Sequence, residues 1–196
     1  MKNFKIFTES KADVRFLQDA IKTMFDIILV DNDFDTLGSW SGYKAGGNIK
    51  TSIQENFDNS KTSILIIDAD TDFSQRRAEV EDDFNHFGIP IKLFLFPDNK
   101  SNGALESLLI RIAVETKIVQ CFEMYESCIS EYQSPVLKSK VFAYLDALLP
   151  AGNKKGDKND LIQEKNRNYR IPEFWDLHDE SLQELRTFLQ DACQFA

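Results

Sequence analysis

Ser63-Ile64-Leu65-Ile66-Ile67-Asp68-Ala69-Asp70 is an apolar run that stops on two carboxylates one residue apart. Four consecutive isoleucine or leucine residues with no polar alternation predict a strand buried on both faces, the usual state of a parallel sheet covered by helices. Ligands of open α/β sheets bind in the crevice beyond the carboxyl ends of the strands. Asp68 and Asp70 stand at such an end. Extended geometry points both side chains the same way, and like charges held together repel unless a cation or a proton compensates them. The stretch therefore asks for a metal ion.

On the N-terminal side the same unit recurs. Phe4 to Thr8 predict a short strand ending at Glu9, and Ser10 with Asp13 form a capping-box start to a helix whose apolar face is Val14, Leu17, Ile21 and Met24. Asp26-Ile27-Ile28-Leu29-Val30 reads as a second buried strand running into Asp31, Asp33 and Asp35. A glycine-rich loop over 38–48, with Gly42, Gly46 and Gly47, leads to a helix over about 49–58. On the C-terminal side, Asp72 and Gln75 cap a helix that ends near His86-Phe87-Gly88, and Ile91 to Phe96 predict a fourth strand closed by Pro97-Asp98-Asn99. Alternating strands and helices give an α/β fold, a four-stranded parallel sheet with right-handed crossovers and helices on both faces.

From Gly103 onward the periodicity is helical only. Leu105, Leu108, Leu109 and Ile112 line one face, Ile118, Phe122, Tyr125 and Ile129 another, and Leu137, Val141, Tyr144 and Leu148 a third, after a helix start at Ser134-Pro135. The stretch 151–160 reads as a mobile polar loop. A last helix starts at Ser181 and Glu184. The expected organisation is an α/β domain over 1–112 with a helical extension over 113–196 packed on it.

With 196 residues, 42% hydrophobic, the chain can bury a substantial core, and its net charge of −9 excludes a surface that is basic overall. Nucleic-acid contact then needs a local basic patch or bridging metal ions. No run approaches the roughly 20 apolar residues of a membrane span, and the start lacks the apolar core of a secretory signal. Three cysteines, Cys121, Cys128 and Cys193, lack CxxC spacing and read as reduced core thiols of a cytoplasmic protein.

In a parallel sheet Glu9, Asp31, Asp68, Asp70 and Asp98 all fall along one edge. If strands one and three are neighbours, Glu9 comes within reach of Asp68, at about 5 Å of strand spacing. The candidate ligands are all oxygens, which suits a hard ion, magnesium or manganese. Glu106 starts a helix at the same edge and can join them, or it is simply an acid favoured by the first turn of a helix. Asp13 is likewise either a cap or a ligand, and Asp72 reads as an N-cap. With carboxylates enough for two ions, the chemistry expected is in-line displacement at phosphorus.

Glu9 leading to Asp13 after strand one, the glycine-containing loop after strand two, and Asp68-Ala69-Asp70 after strand three resemble the Toprim domain of topoisomerases, primases and overcoming-lysogenization-defect nucleases. Pro97-Asp98-Asn99, then Gly103-Ala104-Leu105-Glu106-Ser107-Leu108-Leu109 and the closing Trp175-Asp176-Leu177 resemble a narrower group, the small standalone Toprim-like proteins of bacteria in the DUF3226 family. The resemblance implies that Glu9 is an acid/base residue and that Asp68 and Asp70 hold magnesium. In the nuclease branch, positions matching Asp13 and Glu106 complete a two-metal site. Ser10 stands where the usual Toprim start has glycine.

The expected activity is metal-dependent phosphoryl transfer on a nucleic acid, with phosphodiester hydrolysis expected over strand passage because no companion segment carries a tyrosine nucleophile or strand gate. Lys100, in the loop before Gly103, can stabilise charge on a transferring phosphate, or be a solvated lysine. Arg76 and Arg77 neutralise the acids. Lys154, Lys155, Lys158, Lys165, Arg167 and Arg170 form the one basic concentration, either a backbone contact for nucleic acid or a solvated loop. Trp40 and Tyr43 are base-stacking residues or packing at a loop root. Two rivals stand: Asp68-Ala69-Asp70-Thr71 matches the strand-end signature of haloacid-dehalogenase-like phosphatases, although two βα units precede it here. The other is a non-catalytic Toprim-like protein acting with a protein partner, for instance in bacterial defence.

Overall fold

The computed structural model describes residues 2–39, 44, 49–132, 136–149 and 163–195. Gly42, Gly46 and Gly47, Trp40 and Tyr43, Ser134-Pro135, the loop 151–160 and its three lysines lie outside the described residues. Four strands, β1 (Phe4–Thr8), β2 (Phe34–Thr36), β3 (Thr62–Asp68) and β4 (Ile91–Phe96), form one parallel sheet in the order β2-β1-β3-β4. Seven α-helices accompany them among the described residues: α1 (Lys11–Phe25), α2 (Ile49–Asp58), α3 (Phe73–Phe87), α4 (Leu105–Arg111), α5 (Thr116–Cys128), α6 (Leu137–Leu148) and α7 (Gln183–Cys193).

Strand alternation splits the apolar residues between two cores. Phe4, Ile6, Ile64, Ile66, Phe94 and Phe96 face α1 and the C-terminal helices, where Tyr144, Tyr169, Trp175 and Leu189 are buried with them. Phe7, Leu65, Ile67 and Leu95 face Ile53 of α2 and Val80 and Phe84 of α3. The helical C-terminal half therefore completes one face of the sheet. It is tied in by the Ala113–Trp175 bridge and by Tyr144, whose hydroxyl donates to the Phe174 carbonyl at 2.7 Å.

Three expectations change. Residues 26–30 are not a strand: Asp26 is the left-handed C-cap of α1 (φ 58°), and of the apolar run only Leu29 is buried, with Ile28 67% and Val30 54% exposed. The second strand is Phe34–Thr36 instead, three residues long and at the sheet edge. The predicted face of α5 is only partly covered: Ile118, Phe122 and Ile129 are half-buried and Tyr125 is exposed, while the buried residue of the helix is Val119. Cys121 and Cys128 on that helix are exposed, so only Cys193 is a core thiol. No helix of the described residues is long and apolar enough to cross a membrane.

Candidate metal and catalytic site

β1 and β3 are hydrogen-bonded neighbours with Thr8 opposite Ile66, which sets Glu9 level with Ile67 and Asp68 one residue beyond at the carboxyl edge, where the Asp68 N–H meets the Glu9 carboxylate. Glu9 is held by its backbone carbonyl, which accepts from Gly38 N–H at 3.1 Å. Its Oε1 is buried without a hydrogen-bond partner. Asp68 Oδ1 accepts from the N–H of Leu105, the first residue of α4, at 2.9 Å. That aims the positive end of a short helix at the carboxylate and places Glu106 one residue further on.

Asp13 is both a cap and a member of this group. Its Oδ2 accepts from Ser10 N–H at 2.7 Å, and the Ser10 hydroxyl accepts from the Ala12 and Asp13 N–H groups in return. At 7% exposure it is a buried carboxylate. Asp72 is the N-cap expected, accepting from Gln75 N–H at 2.9 Å.

Asp70 departs from strand geometry. The chain turns left-handed there (φ 55°), and Asp70 pairs through its backbone with Gly103. Its half-exposed carboxylate lies against the Arg76 guanidinium, the neutralising contact expected of that arginine. The loops carrying Asp70 and Gly103 are further clamped by Asn102, which donates to the Thr71 carbonyl at 2.6 Å and accepts from Phe73 N–H at 2.8 Å.

Burial and mutual repulsion raise three of these acids. Burial, then Asp70 and Asp13, push Glu9 up to about 7 against the pull of Arg76 and the Asp68 N–H. Burial raises Asp13 to about 6 despite the Ser10 hydrogen bonds, with Glu106 and Glu164 adding to the rise. Burial, Asp13 and Glu9 carry Asp68 to about 8, opposed by the Leu105 N–H. Among the described residues, no three acidic, histidine or cysteine side chains already converge as a ligand set. The carboxylates share one neighbourhood; they do not form a closed cage.

Two other residues fall elsewhere. Lys100 Nζ sits on Glu184, away from the acids. Asp98 is a turn organiser: burial pulls its carboxyl up, but Arg111 at 2.6 Å, Ser101 and the Lys100 N–H hold it below the usual range. Arg167 leaves the expected basic group, being 3% exposed with its guanidinium over the Phe142 and Tyr169 rings. Sequence reasoning missed Glu164, whose charge bears on Asp13 from a 3-10 turn packed on α1. Its position in a polar stretch gave no periodic signal.

All candidate ligands are carboxylate oxygens, and a buried, partnerless Glu9 Oε1 lies among acids that resist ionising together. This donor set fits a hard divalent ion. The family model described as "Protein of unknown function (DUF3226)" matches residues 3–194. The chain belongs to the DUF3226 family. Comparison of this DUF3226 chain with curated proteins and with solved structures gave no significant match.

Proposed function

We propose that this DUF3226 chain performs magnesium- or manganese-dependent phosphoryl transfer on nucleic acid, as a Toprim-type nuclease in a cytoplasmic setting. The observation that carries the reading is the buried, partnerless Oε1 of Glu9 beside Asp68 at the carboxyl edge of adjacent parallel strands. Bound there, a divalent ion supplies positive charge to the attacking and leaving oxygens of a phosphate displacement. Asp68 and Asp70 would hold it, with Asp13 and Glu106 completing the acidic set.

In the metal-free chain, burial, Asp70 and Asp13 raise Glu9 to about 7, a direction that suits an acid/base role. Ligation by Asp70 would compete with its contact to Arg76. Lys100 can serve a phosphate only by leaving Glu184.

The test is calorimetric titration of magnesium and manganese into the protein and into Asp68→Asn/Asp70→Asn, with cleavage of mixed DNA and RNA followed in the same samples. Binding and cleavage should both disappear in the double variant. Absence of heat at millimolar metal together with absence of cleavage in the unaltered protein would sink the reading and leave a partner-dependent, non-catalytic role.

A further inference from the structure

Apolar exposure in this chain is concentrated around one helix. Of the eight large hydrophobic side chains exposed among the described residues, five fall within 114–136: Val114, Met124, Tyr125, Tyr132 and Val136. Such a concentration on a surface marks an interaction site. The inner side of α5 holds Val119, Phe122 and Ile129, buried or half-buried. Its flank carries Val114, Ile118, Cys121, Tyr125, Cys128 and Tyr132, spaced by four, three, four, three and four residues, the a/d period of a coiled-coil seam. The four central members stand within α5; Cys121, Tyr125 and Cys128 are exposed and Ile118 is half-buried. Tyr125 is braced by the Phe122 ring, edge-on with centroids 5.7 Å apart.

The stripe is complementary to itself when one copy is reversed. An antiparallel pair of α5 helices, with the twofold axis level with Glu123, sets Tyr125 opposite Cys121, Ile118 opposite Cys128 and Tyr132 opposite Val114. Each larger side chain then meets a smaller one, as interdigitated layers require. A parallel pair instead stacks Tyr125 on Tyr125 and Cys121 on Cys121. Charge selects the same direction. Glu123 and Glu126 already share Lys140, at 3.2 Å each, while Lys117, the sole cation of α5, and Glu131 are exposed and make no ion pair with any described residue. Reversal brings Lys117 beside Glu131 of the second copy, once at each end; the parallel arrangement brings like charge beside like.

From this self-complementarity we infer that the α5 flank is a homodimer interface, covered by the same flank of a second copy of this chain running antiparallel. A closed twofold pair of this kind uses one patch twice. It does not depend on the proposed phosphoryl transfer. A single helix face buries less than the ~1,200 Å² of a standard interface, so the dimer is weak, with a dissociation constant on the order of 10 µM or above. In dilute protein Cys121 and Cys128 stay accessible; in the dimer both are covered.

The experiment is sedimentation velocity of the reduced protein from about 1 µM to about 1 mM, a range that brackets such a constant, with maleimide pulse labelling across the same series. The mean mass should rise from one chain towards two, and Cys121 and Cys128 should become protected together as it rises, with Cys193 slow throughout. Tyr125→Glu should abolish association, and Lys117→Glu should weaken it roughly tenfold. Lys117→Glu/Glu131→Lys should restore it, because only an antiparallel pair regains opposite charges. These side chains are exposed, so the variants keep the fold, which far-UV circular dichroism checks. Ile28→Ser, at an exposed apolar residue elsewhere, should change nothing. A chain that stays monomeric up to the highest concentration overturns the inference and leaves the flank to a different protein. Association that survives Tyr125→Glu, or that the charge exchange fails to restore, overturns it as well.

Discussion

Asp70 and Gly103 exchange two backbone hydrogen bonds, Asp70 N–H to the Gly103 carbonyl at 2.8 Å and Gly103 N–H to the Asp70 carbonyl at 2.7 Å. This short antiparallel bridge fixes where the second carboxylate of Asp68-Ala69-Asp70 stands. Gly103 adopts φ +137°, and a Cβ there would lie 2.5 Å from Ser107 Oγ. Gly103→Ala should therefore cost about 1–3 kcal/mol, read by urea unfolding, and weaken metal uptake by letting the Asp70 loop drift. A variant of wild-type stability would show that the bridge does not constrain the site.

Without metal, stability should fall as pH rises from about 4 to about 8. Glu9, Asp13 and Asp68 all hold their protons more tightly folded than unfolded, so in this window the unfolded chain binds fewer protons and the slope of unfolding free energy with pH is negative. The contribution is fully present below the unfolded values and lost as pH passes the folded ones. Asp68→Asn keeps an acceptor for the Leu105 N–H but cannot ionise, so it should flatten the slope. Magnesium should restore stability at the alkaline end in the unaltered protein alone. Urea unfolding across the window, with and without magnesium, reads both effects, and a slope of the opposite sign would refute the buried-acid account.

Native thiol labelling should show two fast cysteines and one slow. Cys121 and Cys128 are exposed on α5, whereas Cys193 is buried, with its thiol pushed up to about 12 by desolvation. A single fast thiol would mean that one face of α5 is covered in solution.

Strands β1, β3 and β4 were legible because their apolar runs end on punctuating acids or Pro97, and capping signals at Ser10, Asp72 and Gly88 placed three helix ends correctly. The second strand was not legible: Ile27 to Val30 are more apolar than Phe34-Asp35-Thr36, yet a short edge strand needs little apolar content, while a run just past a helix cap can stay largely solvated. Among the site residues, sequence order gave the shared edge of Glu9 and Asp68. It could not give the left-handed turn at Asp70, because that turn depends on a partner thirty-odd residues later. Nor could charge counting find that Arg167 is buried on aromatic rings, since position in a polar stretch suggested solvent.

The Phe4 ring meets the Phe195 ring edge-on at 5.7 Å, and Phe25 packs on the same C-terminal phenylalanine. The strand that delivers Glu9 thus has its apolar face sealed by residues synthesised almost two hundred positions later. Folding of this chain on the ribosome cannot proceed in order of emergence. β1 must wait, partly uncovered, until α7 leaves the exit tunnel, so the nascent chain passes through a stage that needs shelter from aggregation.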